Sequence, residues 1–133
     1  MPPYSDVIDA FNARIPGTLS RDHGHEVGAL AKAAVNRLAF GMASELRQHN
    51  IAVVALAPGF VGIERVRAAF AGAGRVPGNL ESPEYIGRAV VALAADANVM
   101  AKSGRVLTVG QLAPEYGFTD VDGRQLPPFQ IDG

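Results

Sequence analysis

The densest group of potential ligands in the chain is Asp22-His23-Gly24-His25-Glu26. Imidazoles and carboxylates this close together can chelate zinc or nickel. Neighbouring ligands on one short segment rarely close a tetrahedral shell, however, and His49 stands far along the chain. The group reads instead as a polar helix N-terminus with Glu26 in its first turn. No metal is expected. Gly72-Ala-Gly74 opens like a dinucleotide fingerprint, but the segment before it reads as helix and Pro77 takes the third glycine's place. Asp120-Val-Asp122-Gly123 has the look of a calcium loop, yet Phe118 holds the first ligand position and no glutamate closes it. Both are set aside.

Five segments must position whatever chemistry remains. Residues 27–49 form the strongest element, with Ala31, Ala34, Val35, Leu38, Met42 and Leu46 in a stripe of helical period. Its abundant alanine favours helix and allows close approach of another backbone. Asn50 stands where a helix commonly stops. Residues 51–57 then run without alternation through β-branched and aliphatic side chains to Pro58-Gly59, the pattern of a strand buried on both faces. A helix is expected over about 63–71. Another is signed by Ser82 as N-cap, Pro83 at N1 and Glu84 in the first turn, ahead of Ile86, Val90 and Leu93, and it ends near Asp96. Residues 105–109 make a second short strand. The tail from Gly110, with Pro114, Pro127 and Pro128, reads as extended. Upstream, residues 6–13 suit a short helix broken by Pro16-Gly17, and 18–24 read as a polar loop.

That order is α/β with right-handed crossovers. Three regions follow: an irregular segment at 1–25, an α/β half-domain at 26–125 and an extended tail at 126–133. Two parallel strands cannot cover both faces of several amphipathic helices. The expectation is therefore a partial, Rossmann-like doubly wound sheet completed by oligomerisation or by another chain.

Composition narrows the function classes. The chain has 133 residues, 48% of them hydrophobic and 19% charged, which is a globular balance. Twelve basic and 13 acidic residues give a net charge of −1, and no cluster recruits nucleic acid or an anionic membrane. Cysteine is absent, which excludes disulfides and thiolate chemistry. Asp6 and Asp9 precede the first basic residue, Arg14, without an apolar core between them, so no signal peptide is read. The uncharged run 50–63 is too short to span a bilayer. A cytoplasmic protein is expected.

Ala31-Lys32-Ala33-Ala34-Val35 opening a long helix, then Glu45-Leu46, a buried strand and Pro58-Gly59, form a specific combination. With Glu81-Ser-Pro-Glu-Tyr-Ile-Gly-Arg88, Ser103-Gly-Arg-Val-Leu107 and Tyr116-Gly-Phe-Thr-Asp-Val-Asp-Gly123, it resembles the C-terminal half of the short-chain dehydrogenase/reductase family over about residues 26–125. The resemblance implies NAD or NADP as cofactor and hydride transfer on small carbonyl or alcohol substrates. It implies that Lys32 holds the nicotinamide ribose and tunes a tyrosine acid/base, that Pro58-Gly59 lies beneath the nicotinamide, and that the long helix packs on its copy in a homodimer.

The chain departs from that pattern at several positions. Gly28 stands four residues before Lys32, where the tyrosine belongs. Ile15 takes roughly the place of the substrate serine, and Ser20 lies too close to Gly28. Ile63 replaces the threonine or serine that holds the carboxamide. Gly17, Gly24 and Gly28 lack the spacing and the preceding strand of a nucleotide loop. His25, two helical turns before Lys32 on the same face, is a substitute acid set a turn too far away. On residues alone, Lys32 reads as a solvated helix position and Pro58-Gly59 as a strand terminator. The expectation is a truncated family homologue, a pseudoenzyme without dehydrogenase activity as an isolated chain. The alternative is a homodimerising or partner-binding module.

Overall fold

The computed structural model describes residues 21–74 and 76–128, with 21–29 as backbone only. The expected helix at 6–13, its Pro16-Gly17 break, Ile15, Ser20 and the last five residues lie outside that range. Helix α1 spans Arg21–Leu46 and tightens into a 3-10 turn at Arg47–His49. It starts before the expected 27, so residues 21–24 are helix and not loop. Asn50 ends it in the left-handed region at φ 55°, a conformation asparagine tolerates better than most residues. The Ile51 N–H reaches back to the Leu46 carbonyl at 3.3 Å, which satisfies an orphan acceptor of the last turn.

Strands β1 (Ala55–Ala57) and β2 (Val106–Thr108) pair in parallel, with Ala55 opposite Val106 and Ala57 opposite Thr108. Contact begins earlier, where the Gly104 N–H donates to the Val53 carbonyl at 2.7 Å. The expected strand at 51–57 is thus paired only over its second half, and its burial on both faces is not reached. Ala55 is buried, but Ile51 is 48% exposed. Two strands offer too little surface to cover the run. The architecture is α/β, consistent with part of a Rossmann-like sheet.

The crossover holds α2 (Glu64–Gly72), α3 (Pro83–Ala95) and a 3-10 turn at Val99–Lys102. Helix α3 begins as its sequence signs predict: the Tyr85 N–H donates to the Ser82 hydroxyl, with Pro83 at N1. Its buried face is Tyr85, Ala89 and Leu93, one turn apart each, while Val90 is exposed. These pack on Leu107, Val109, Leu112, Ala113 and Leu126 to form the core. Each large side chain fully buried there contributes about 1.5–3 kcal/mol.

The segment after β2 corrects the extended reading of the tail. Val109–Tyr116 is helix α4, directly abutting β2. Thr108 and Gln111 form a reciprocal capping box at its start, and Gly117 closes it at φ 74°. Beyond it the chain folds back. A Cβ on Gly110 would overlap the backbone of Pro127 and Pro128, so only glycine admits that return.

Helix α1 packs on β1 through Ala39 and Ala43, the latter against Gly104. The stripe expected to serve as core or interface is open on this chain: Val35 and Leu38 are 56% and 61% exposed. It is not core here.

Candidate functional site

Pro58-Gly59 follows the carboxyl end of β1, the side on which open parallel sheets bind their ligands. Pro58 is exposed and Gly59 half-buried. What holds this turn is Glu81, which the sequence reading did not single out. The Gly59 N–H lies beside the Glu81 carboxyl. The Glu81 N–H donates to the Phe60 carbonyl at 2.8 Å, and the Glu81 carbonyl accepts from the Gly62 N–H at 2.7 Å. These bonds close a parallel bridge between Val61 and Glu81. Phe60 then seats edge-on against Phe70 of α2, with ring centroids 5.3 Å apart. Arg67 Nε donates to the Gly62 carbonyl at 2.7 Å.

Glu81 is 2% exposed, and its Oε2 has no hydrogen-bond partner. Burial pushes its carboxyl above the ordinary range, against the pull of the Gly59 N–H, and nearby Asp120 adds to the rise. Asp120 itself is held low. Burial acts upward on it, but hydrogen bonds from the Ser82 hydroxyl and N–H and from the Val121 N–H outweigh that. No residue nearer than Asp120 and Ser82 in sequence signals this pairing, since 38 positions separate them.

Lys32 lies on the exposed side of α1 and has no ion pair or hydrogen bond among the described residues. Gly28 lies one helical turn before it. Ile63, at the N-cap of α2, is exposed and offers no polar side chain towards the turn. The structure thus places Pro58, Gly59 and Ile63 on one segment and Lys32 on another element. His23 and His25 lie on helical backbone, and their side chains are outside the described part.

Two further groups use up their polar atoms internally. The Tyr116 hydroxyl donates to Asp96 at 2.5 Å, while Lys102 pairs with Glu115 at 2.7 Å and Asp96 at 3.5 Å. Burial and the Asp96 contact raise the Tyr116 phenol, and Glu115 raises Lys102. A general acid needs a pKa moved towards neutrality, so this cluster is a structural lock. Asp122 pairs with Arg124 at 2.6 Å, which bridges on to the Gly78 carbonyl. Gly74, in the segment that opened like a fingerprint, closes the end of α2 at φ 78°.

A dinucleotide makes three demands: an anion cradle for its diphosphate, polar partners for the nicotinamide end, and a proton donor beside the reacting carbon. The start of α4 is a poor cradle: the Thr108–Gln111 box takes the Gln111 N–H, and the returning tail crowds Gly110. The one candidate acid in the resemblance's pattern is a glycine. The described residues therefore do not fit a whole dinucleotide.

No protein-family model matches the chain. Over 111 residues, 75% of the chain, it is 40% identical to Dehydrogenase/reductase SDR family member 1 of Mus musculus. To the Homo sapiens protein of the same name it is 35% identical over 132 aligned residues, 86% of the chain. It covers 36% and 40% of these two relatives, so it spans about two fifths of their length.

Proposed function

The chain belongs to the short-chain dehydrogenase/reductase family, and from that premise we propose that these 133 residues carry the nicotinamide-side frame of an oxidoreductase without its catalytic acid. Lys32, Pro58 and Gly59 are the residues assigned to the NAD or NADP contact. Alone, the chain is then inactive in hydride transfer on small carbonyl or alcohol substrates. The observation that carries this reading is Gly28: where the family pattern sets a phenol one turn from the lysine, the helix presents a hydrogen atom. Leu30 and Ala31, the described side chains between that position and Lys32, carry no proton to deliver to an alkoxide.

Calorimetric titration with NADH and with NADPH, paired with thermal melts, tests the reading. The expected result is a cooperative melt that neither cofactor raises. Saturable binding would overturn it, because a ligand at a hundred times its Kd raises stability by about 2.7 kcal/mol and lifts the melt with it.

A second reading, a homodimer through the 27–49 helix, is favoured by one observation. Leu30, Val35, Leu38 and Met42 of α1 are all exposed, Leu30 by 70%. Open apolar surface of this kind marks an interaction site. No nucleic-acid or membrane partner enters the proposal. Among the described residues no helix is long and apolar enough to cross a membrane, and we assign the chain to the cytoplasm.

A further inference from the structure

Two backbone hydrogen bonds tie Glu81 to the five residues after β1, its carboxyl lies beside the Gly59 N–H, and its Oε2 is left without a partner. The Glu81 N–H donates to the Phe60 carbonyl, and the Glu81 carbonyl accepts from the Gly62 N–H. Residues 58–62 (Pro-Gly-Phe-Val-Gly) carry no charge of their own. The titratable groups facing Glu81 are Asp120 from the tail and Tyr85 from the first turn of α3. Arg67 approaches the same segment from α2, but its Nε is given to the Gly62 carbonyl. No cation is thus paired with the Glu81 carboxyl among the described residues.

An ionised carboxyl in this place would leave Oε2 charged, dry and unpaired, with a second carboxylate nearby. That costs more than burying the neutral acid with the same unpaired atom. The neutral form still offers its carbonyl oxygen to the Gly59 N–H. We infer that Glu81, held as the neutral acid, is the positioning residue of the Pro58-Gly59 turn, and that its ionisation releases the turn.

The sign follows from linkage. A carboxyl raised in the closed form binds its proton more tightly there than in the open form. Closure is fully favoured below the ordinary glutamate value of about 4.3. As pH climbs from there towards the raised value, closure weakens by up to about tenfold per pH unit. Above the raised value the loss is complete and levels off.

Native-state hydrogen exchange at the Gly59 and Gly62 amides, corrected for intrinsic rates, reads this between pH 5 and pH 8. In the wild-type chain, protection at both amides is expected to fall with pH, while the Leu93 amide in the core of α3 holds. Glu81→Gln keeps a carbonyl acceptor for Gly59 and cannot ionise. Its protection is expected to be flat with pH and, at pH 7, at least that of the wild type. Glu81→Ala loses Gly59 protection at every pH; should it fail to fold, the comparison of wild type with Glu81→Gln decides alone. Flat protection in the wild type would overturn the inference. So would a pH-dependence that survives in Glu81→Gln, since it would assign the titration to Asp120 or Tyr85. The experiment needs no cofactor, so its outcome is independent of the proposed function.

Discussion

At the scale of single residues, two neighbouring carboxyls carry opposite pH slopes. Glu81 is raised, so its contribution is lost as pH rises. Asp120 is lowered despite its burial, because Ser82 and Val121 donate three hydrogen bonds to it. Its contribution is full above the ordinary aspartate value of about 3.9 and disappears as pH falls through its lower folded value. Asp120→Ala would leave the Ser82 N–H without its charged partner at the positive end of α3. The expected loss is about 2–3 kcal/mol at pH 7, read from urea unfolding. At pH 3 the gap between variant and wild type should shrink, and an equal gap at both pH values would reject the charged role. Lys32 and Gly28 were legible in the sequence because they lie four positions apart on one helix. The Ser82–Asp120 pair was not, since it exists only once the tail has folded back across 38 residues.

At the scale of elements, the signals at the start of α3 came out in the structure, whereas residues 21–24, read as loop, are helix. Ser82-Pro83-Glu84 starts α3, and Asp96 closes it. A further miss was α4, where three prolines suggested an extended tail although Thr108 and Gln111 stand at capping-box spacing. Pro114 lies inside the helix, but a tight start and the Gly117 stop hold its eight residues around it. Tertiary packing supplies the rest, since Leu112 and Ala113 are fully buried against α3. The paired length of β1 could not be read either, because parallel pairing depends on a partner 51 residues away. The cap yields a direct check. Thr108→Ala should cost about 1 kcal/mol in urea unfolding. Thr108→Ser, which keeps the hydroxyl acceptor, should recover most of it. Equal loss in both would mean that the threonine methyl, and not the cap, holds the start of α4.

At the scale of the whole molecule, a two-stranded sheet leaves more apolar surface than it covers. Ala39 and Ala43 are the part of α1 buried against this chain, and the larger side chains of its stripe face outward. Small residues turned inward with Leu, Val and Met turned outward leave open an apolar face of the kind a partner covers. If that partner is another copy, the contact is isologous, and Leu38 lies within the stripe on both subunits. Leu38→Glu would then bring two like charges to the centre of the contact. Within one chain the change costs little, because substitutions at exposed positions usually stay within about 0.5 kcal/mol. Sedimentation velocity across a concentration series should show a discrete dimer for the wild type and a monomer for Leu38→Glu, with dilute melting temperatures unchanged. A wild type that stays monomeric, or a variant that sediments identically, would reject self-association through α1. Polydisperse material would instead mean that the open stripe associates without a defined register, as bare apolar surface does when no complementary face is built to receive it.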